Sequence, residues 1–215
     1  MRFIIVANGL LDPTSIARAV IQPGEVVIAA DGGTRHCLAA GITPQVVIGD
    51  FDSLGDEELA FLEATGAQTI HHPARKDYTD LELALEHALS LGADEILVLG
   101  ALGNRWDQTL ANLLLPSAAG FVRANIRLLD GPQEFMVIRA GKAMEISGNP
   151  GDTVSLIPLA GDARGITTRN LEYPLDDGTL TFGSTRGISN VLLRESATVS
   201  LKEGILLCIL IHGGE

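Results

Sequence analysis

The sequence predicts an α/β fold: an N-terminal, mostly parallel sheet flanked by helices, followed by a C-terminal β-sandwich domain. Up to about residue 131, short apolar runs alternate with helical stretches, as in parallel strands joined by crossover helices. These runs are apolar on both sides, as strands covered by helices on both faces must be. After Gly131-Pro132 only short strand-like segments follow. We therefore expect one domain at residues 1–131 and a second at residues 132–215.

The elements of the first domain follow from this alternation. The expected strands share an uninterrupted apolar run: Phe3–Ala7, Val26–Ala30, Val46–Ile48, Ile96–Leu99 and Ile126–Leu129. The expected helices lie between them, and several end at glycine or proline: Ser15–Ile21, Thr34–Ala40, Asp56–Ala64, Thr79–Leu91 and Asp107–Leu115. In open sheets of this kind, ligands bind beyond the carboxyl ends of the strands, so we expect the functional site there.

The second domain shows short segments separated by Gly, Pro, Asn and Asp, which is typical of antiparallel strands. The expected strands are Glu134–Ile138, Ala143–Ile146, Thr153–Pro158, Gly165–Thr168, Thr179–Phe182, Ala197–Lys202 and Leu206–Ile211. A sandwich of about 80 residues is small, and its exposed edges would be easier to tolerate in a homodimer.

Composition excludes several classes of protein. The chain has 27 acidic and 15 basic residues, a net charge of -12, which argues against a nucleic-acid surface. No apolar run approaches the roughly 18 residues of a membrane span, so we expect no membrane partner and a cytoplasmic location. Cys37 and Cys208 lie far apart without metal-ligand spacing, which predicts buried free thiols rather than a disulfide or zinc site.

The first candidate site residues are Asp50 and Asp52, which follow the third expected strand in Gly49-Asp50-Phe51-Asp52-Ser53. Residues two apart on a strand project to the same face, so their carboxylates can share one ion. Magnesium usually takes one or two carboxylates together with water and substrate phosphates. The alternative is that Asp52 or Ser53 merely caps the next helix, which leaves Asp50 without a role.

A second acidic motif is Lys76-Asp77-Tyr78-Thr79-Asp80. Thr79 to Glu82 has the form of a helix capping box, which explains Thr79 and Glu82 by stability alone. That interpretation leaves Lys76, Asp77 and Asp80, which crowd charges of both signs around one helix start. From the residues alone, a structural and a functional role are equally supported.

A third motif runs from Gly100 to Asp107. Its glycines allow close approach of the backbone to a ligand, and the forked donors of Arg105 suit a phosphate. Asp107 is alternatively an ordinary helix cap, and Trp106 is expected to be packed rather than stacked on a ligand. Among the sequence motifs of nucleotide sites and hydrolases, the phosphate-binding loop, the dinucleotide fingerprint and the nucleophile elbow are all missing.

Taken in order, these motifs resemble the thiamine pyrophosphokinase family. The motifs are Asp31-Gly32-Gly33, Gly49-Asp50-Phe51-Asp52-Ser53, Lys76-Asp77-x-Thr79-Asp80, Gly100-x-x-Gly103-x-Arg105-x-Asp107-x-x-x-x-Asn112 and Gly187-Ile188-Ser189-Asn190. The resemblance spans nearly the whole chain. It implies an N-terminal catalytic domain, a C-terminal thiamine-binding and dimerisation domain, a homodimer, and Mg²⁺-dependent transfer of pyrophosphate from ATP to thiamine.

The resemblance also implies roles for individual residues. Asp50, Asp52 and Asp80 would be the metal ligands. The expected ATP-binding residues are Asp31, Gly32, Arg105, Asp107 and Asn112, and the expected catalytic residues are Lys76, Asp77 and Arg105. Ser189 and Asn190 would face thiamine. Two alternatives stay open: pyrophosphate transfer to another alcohol, such as a hydroxymethylpterin, and a nucleotide- or thiamine-binding module without catalysis.

Overall fold

The computed structural model describes residues 1–52, 54–73 and 77–213. It divides into two compact units, Met1–Gly131 and Pro132–Glu215. Ser53 and the expected catalytic residue Lys76 lie outside the described residues. In the described part of the chain, no helix is long and apolar enough to cross a membrane.

The described residues of the first unit form a parallel sheet of six strands in the spatial order β6-β5-β1-β2-β3-β4. The strands are β1 Arg2–Val6, β2 Val26–Ala30, β3 Val46–Gly49, β4 Gln68–His71, β5 Glu95–Leu99 and β6 Asn125–Asp130. Five of them confirm the predicted strands to within one residue at each end. Strand β4 was not predicted from the sequence, because this edge strand has no apolar run and three of its four residues are exposed.

Among the described residues of this unit, five helices connect these strands. They are α1 Pro13–Ala19, α2 Gly33–Ala39, α3 Asp56–Thr65, α4 Asp80–Ser90 and α5 Trp106–Leu114, and two short 3-10 turns follow at Leu115–Ser117 and Ala119–Phe121. The predicted capping role of Thr79 is confirmed, because its side chain accepts a hydrogen bond from the Glu82 amide at 3.2 Å. Gly66 ends α3 in the left-handed conformation, in agreement with the expectation that glycine ends several of these helices.

The core of the first unit lies between the sheet and its helices. Ile4, Val47 and Leu97 come from strands β1, β3 and β5 and are almost completely buried, as is Leu62 of α3. The thiol of Cys37 lies in the same cluster, and burial raises its pKa to about 12. This confirms the prediction that Cys37 is a buried free thiol. The buried strands form a rigid platform from which the connecting loops emerge.

The second unit is a sandwich of two antiparallel sheets, in the orders β12-β9-β14-β7 and β11-β10-β13-β8. Its strands are β7 Gln133–Arg139, β8 Met144–Ser147, β9 Thr153–Pro158, β10 Ala163–Arg169, β11 Gly178–Leu180, β12 Asn190–Val191, β13 Ser196–Ser200 and β14 Ile205–Ile211. One apolar cluster joins the two sheets and includes the free thiol of Cys208. The predicted α/β domain followed by a β-sandwich is therefore confirmed.

Candidate active site

A cavity of about 410 Å³ lies in the first unit, where the loops after β1, β2, β3 and β5 meet the starts of α4 and α5. This is the carboxyl end of the parallel sheet, where the sequence analysis expects a ligand. The residues that line it are Ala7, Asn8, Gly9, Leu10, Ala30, Asp31, Asp50, Tyr78, Thr79, Asp80, Leu81, Gly100, Ala101, Leu102, Gly103, Asn104, Arg105, Gln108, Thr109 and Asn112. Residues from all four predicted motifs of the first domain therefore meet at one cavity.

One wall of the cavity consists of two loops joined by their backbones. The Gly9 amide donates to the Gly100 carbonyl at 2.6 Å, and the Leu10 amide donates to the Leu102 carbonyl at 2.7 Å. A Cβ atom at Gly9 would lie 2.4 Å from the Leu102 oxygen, so a side chain there would separate the loops. Glycine at position 9 is thus required by the close approach of two backbones.

Helix α5 holds the same wall through two side chains. The Thr109 hydroxyl donates to the Gly103 carbonyl at 3.0 Å and accepts from the Gly103 amide at 3.1 Å. The Asn112 side-chain amide donates to the Ala101 carbonyl at 2.6 Å. Asn112 lines the cavity, and one hydrogen of its side-chain amide fixes the loop, which leaves the second hydrogen and the oxygen for other partners. Thr109, which was not predicted from the sequence, positions Gly103 of the motif.

We expect Thr109→Val to loosen this wall, because the half-buried Gly103 amide and carbonyl both lose their side-chain partner. The expected loss of stability is about 1 kcal/mol, the lower end of the cost of leaving buried polar groups unsatisfied, since Gly103 is only partly buried. Urea denaturation followed by circular dichroism measures it. Thr65→Val is the matched control, because the Thr65 hydroxyl donates to helix carbonyls on the exposed surface of α3. An equal loss in both variants would contradict the positioning role of Thr109.

The predicted phosphate ligand Arg105 lies at the rim of the cavity and forms a forked ion pair with Asp107. Its Nε donates to one Asp107 oxygen at 3.0 Å, and its Nη2 donates to the other at 2.6 Å. Asp107 itself is not among the cavity-lining residues. The remaining guanidinium nitrogen, Nη1, donates to neither Asp107 oxygen. Asp107 therefore orients Arg105 from outside the cavity, and Arg105 is the member of the pair that lines the cavity.

This pairing has a measurable pH dependence. The hydrogen bonds from Arg105 lower the pKa of Asp107 from 3.8 to about 2. Because the folded-state pKa is depressed, the pair is intact above the ordinary carboxyl pKa and is lost as the pH falls through about 2. We expect a carboxyl-carbon NMR titration of Asp107 to have its midpoint near that value. Arg105→Ala should return the midpoint towards 3.8, and an unchanged midpoint would contradict the pairing.

The acidic candidates separate into two groups. Asp31, Asp50 and Asp80 line the cavity and are half-buried, whereas Asp52 and Asp77 are exposed and do not line it. Asp31 follows β2 with a left-handed φ of 46°, and its amide donates to the Ile48 carbonyl of β3 at 2.7 Å. This backbone turn places Asp31 beside β3, the strand that leads directly into Asp50.

The cavity fits a magnesium ion bound by few protein ligands. Among residues 1–52, 54–73 and 77–213, no group of three or more His, Cys, Asp or Glu side chains is arranged to hold a metal. Asp50 and Asp80 nevertheless line one cavity, and two carboxylates with substrate phosphates and water satisfy the usual coordination of Mg²⁺. The Asp52 amide donates to an Asp50 oxygen at 3.1 Å, which orients Asp50. The three-carboxylate site stays a prediction.

Several other wall residues were not predicted as ligands. Asn8 lies against Gly32, where a Cβ atom would be 2.2 Å from the Asn8 side-chain oxygen, so the predicted Gly32 makes room for Asn8. Tyr78 and Gln108 also line the cavity. The signal for Asn8 was available in the sequence, because it follows a buried strand as Asp31 does.

The expectation that Trp106 is packed is wrong. Its side chain is 80% exposed, and Leu110 and Leu114 continue the same exposed face of α5 at four-residue spacing. The described residues of the chain leave this stripe uncovered, and the helix is held instead through its polar residues on the cavity side.

In the second unit, Ser189 lies in a bend and Asn190 is the first residue of β12. Ser189 is exposed and has a left-handed φ of 60°, and its amide donates to the hydroxyl of buried Ser155 at 3.1 Å. The Asn190 side chain is bonded to the backbone of Tyr173 through both its oxygen and its nitrogen. Ser189 is therefore accessible to a ligand, whereas the Asn190 side chain forms its hydrogen bonds within the protein.

Comparison with known proteins identifies relatives of both units. Residues 17–128 match the family described as thiamin pyrophosphokinase, catalytic domain, and residues 142–206 match its vitamin B1 binding domain. The thiamine pyrophosphokinase of Bacillus subtilis is 35% identical over 182 residues, which cover 85% of each chain.

Solved structures agree with these sequence matches. A crystal structure of the Bacillus subtilis thiamine pyrophosphokinase aligns with a TM-score of 0.88 and 33% identity, covering 100% of both chains. That of a thiamin pyrophosphokinase family protein from Enterococcus faecalis aligns with a TM-score of 0.85 and 30% identity, again over 100% of both. The likeness extends over both units.

Proposed function

Because this chain belongs to the thiamine pyrophosphokinase family of transferases, we propose that it transfers pyrophosphate from ATP to the hydroxyl of thiamine. The products are thiamine diphosphate and AMP, and the reaction depends on Mg²⁺. The observation that carries the proposal is the cavity of the first unit. Four charged residues line it: Asp31, Asp50, Asp80 and Arg105. It combines oxygen ligands for a metal with a guanidinium for phosphate oxygens.

The proposed reaction is an in-line displacement at the β-phosphorus of ATP. The thiamine hydroxyl oxygen forms the new bond to this phosphorus, and the bond to the oxygen bridging the α- and β-phosphates breaks. That oxygen leaves with AMP. Phosphoryl transfers have loose transition states, so alignment and neutralisation of charge contribute more than a strong base.

The residues of the chain have separate parts in this reaction. Asp50 and Asp80 would hold the magnesium ion, with Asp52 as the third predicted ligand. When bound, the ion neutralises and orients the phosphate oxygens. Arg105 stabilises the negative charge that develops on the bridging oxygen, because its donors are oriented before the substrate arrives.

Two further roles extend the proposal. Lys76 lies outside the described residues and is proposed as a second cation for the phosphates. Asp77 is exposed and precedes Tyr78 of the cavity wall, and we assign it the proton of the thiamine hydroxyl, which it takes up late in the transfer. Asp77→Asn should then reduce turnover less than loss of a metal ligand.

A direct test is AMP release from ATP by the purified chain with Mg²⁺ and thiamine. We expect thiamine-dependent AMP formation and thiamine diphosphate in equal amounts, and neither after addition of EDTA. AMP release with a hydroxymethylpterin but not with thiamine would identify the other pyrophosphokinase activity. Binding of ATP without turnover under any divalent metal would identify a binding module. The proposed homodimer is measured separately by light scattering.

A further inference from the structure

Phe51 adopts a left-handed backbone conformation, with a φ of 63°, two residues beyond the end of strand β3. Aspartate and asparagine tolerate this conformation because their short polar side chains bond locally, whereas for a bulky residue it is an outlier. Strained backbone of this kind persists only where the surrounding contacts impose it, and it is concentrated at functional sites. Phe51 lies between Asp50 and Asp52, so its conformation bears directly on the acidic motif.

Two contacts hold the Phe51 side chain in place. Its ring centroid lies 5.6 Å from that of His71, at the end of β4, and the two ring planes meet at 68°, a T-shaped arrangement. The ring also packs against the apolar core of the first unit. The His72 amide donates to the Gly49 carbonyl at 2.8 Å, which fixes the end of β4 beside β3. A return of residue 51 to extended backbone would rotate its side chain away from both contacts.

The left-handed residue also determines how the two aspartates meet. In a continued strand, the side chains of Asp50 and Asp52 would project to one face. Instead the backbone amide of Asp52 donates to an Asp50 oxygen at 3.1 Å, and Asp50 lines the cavity whereas Asp52 does not. The Leu54 amide further fixes the Phe51 carbonyl at 3.1 Å. The Asp50 carboxylate is therefore oriented by its own segment before any ligand arrives.

We propose that Phe51 is a positioning residue of the proposed metal site: its ring, held by His71 and the core, keeps residue 51 left-handed, and this conformation orients Asp50 for a divalent cation. This inference rests on the proposed function. A ligand held in its binding geometry has little conformational freedom left to lose, so it binds the cation more tightly. Phe51 is not among the cavity-lining residues, so it acts through Asp50.

Substitutions at position 51 separate the backbone conformation from the ring. Alanine and glycine both remove the ring, but glycine adopts left-handed backbone readily and alanine does not. We expect Phe51→Ala to raise the dissociation constant of the cation about tenfold, the factor that corresponds to the cost of left-handed backbone. Phe51→Gly should raise it no more than about threefold, and Phe51→Tyr should keep the wild-type value. Loss of an ordinary packed ring would weaken both of the first two variants alike.

The probe is Mn²⁺, which takes the same oxygen ligands as Mg²⁺, in the presence of α,β-methylene-ATP, whose α–β linkage is not cleaved. The electron paramagnetic resonance signal of free Mn²⁺ measures binding without turnover. In the protein without metal, the carbon-13 chemical shift of the residue 51 Cα reports its backbone conformation. It should be left-handed in the wild type and in Phe51→Tyr, and extended in Phe51→Ala. Thermal melting establishes that each variant is folded.

Val20 provides the matched control for left-handed backbone. It ends α1 with a φ of 42°, its side chain is 57% exposed, and it does not line the cavity. Val20→Gly should melt at a higher temperature than Val20→Ala, because glycine relieves the strain here as well. The two variants should nevertheless bind Mn²⁺ equally, since no cavity residue depends on this backbone.

His71→Ala tests the contact that holds the ring and leaves residue 51 unchanged. It should raise the Mn²⁺ dissociation constant in the same direction as Phe51→Ala, although by less, because the core contact of the ring remains. Combined with Phe51→Gly, it should have no further effect, since the ring through which His71 acts is absent. Residues that act through one contact are non-additive in this way.

The outcomes are distinguishable. An active wild-type chain in which Phe51→Ala and Phe51→Gly bind Mn²⁺ equally would overturn this inference alone, as would an extended residue 51 in the wild type. A wild-type chain that binds Mn²⁺ with the analogue but releases no thiamine-dependent AMP would overturn the proposed function, and the affinities of the variants would still decide the role of Phe51. A wild-type chain that binds no Mn²⁺ would overturn both.

Discussion

Asp80→Asn and Asp50→Asn are each expected to lower the rate of AMP release about 100-fold or more at saturating ATP. Both residues line the cavity, and each substitution removes a negative oxygen that would hold Mg²⁺ against the phosphates. Metal ions contribute several kcal/mol of charge stabilisation, and each 1.36 kcal/mol corresponds to about tenfold in rate. The measurement is turnover at increasing Mg²⁺ concentration, with unfolding followed in parallel.

Glu82→Gln is the matched control for Asp80. Both carboxylates lie in the first turn of α4, so both favour the positive end of the helix, but Glu82 is not among the cavity-lining residues. We expect Glu82→Gln to keep most of the turnover and Asp80→Asn to melt near the wild-type temperature. Near-normal turnover of Asp80→Asn at saturating Mg²⁺ would reject its assignment as a metal ligand.

Asp52→Asn distinguishes two arrangements of the metal. The resemblance to the family predicts a loss of orders of magnitude, whereas the structure places Asp52 outside the cavity wall. A loss equal to that of Asp50→Asn would indicate that Asp52 joins the site when the nucleotide binds. A small loss would leave two carboxylates and the phosphates as the ligands, which is sufficient for magnesium.

Gly33→Ala is expected to have the largest effect on stability. Gly33 begins α2, and a Cβ atom there would lie 2.0 Å from the Val6 carbonyl oxygen and 2.7 Å from its carbon. Both atoms belong to the backbone of buried strand β1, so neither can turn aside as a side chain would. We expect a loss of about 3 kcal/mol in the free energy of unfolding, at the upper end of ordinary overpacking.

Urea denaturation of Gly33→Ala measures this loss, with Gly120→Ala as the control. Gly120 lies in a short 3-10 turn, and a Cβ atom at this position would meet no heavy atom within 4 Å. The control should stay within about 0.5 kcal/mol of the wild type, as surface substitutions usually do. Equal stabilities of the two variants would contradict the close contact between α2 and β1.

The strands and helices of the first unit were largely predictable, because burial of a strand or of a helix face requires a recognisable pattern of apolar residues in the sequence. A parallel strand covered on both faces must be apolar throughout, so β1 and β5 are recognisable without their neighbours. Edge strand β4 shows no such pattern, since it is held to β3 by backbone pairing and its side chains are mostly exposed. Backbone hydrogen bonds do not require particular side chains, so this strand could not be recognised from its residues.

The local chemistry of helix starts was predictable for the same reason. Thr79 caps α4 through a contact three residues away, and Asp80 next to it lines the cavity, so the structural and the functional interpretations of this motif both hold. The packing of Trp106 was predicted wrongly. Whether one face of a helix is covered depends on elements distant in sequence, and a lone tryptophan carries no information about them.

The order of motifs along the chain, the alternation of apolar runs and the turn residues were enough to determine the fold class and the family resemblance. Only the tertiary structure decided which side chains share the cavity, and it separated Asp50 and Asp80 from Asp52. It also showed that the amides of Asn112 and Asn190 hold backbone groups. The physical reason is that residue type specifies what a side chain can bond, whereas its partner depends on distances set by the packing of remote segments.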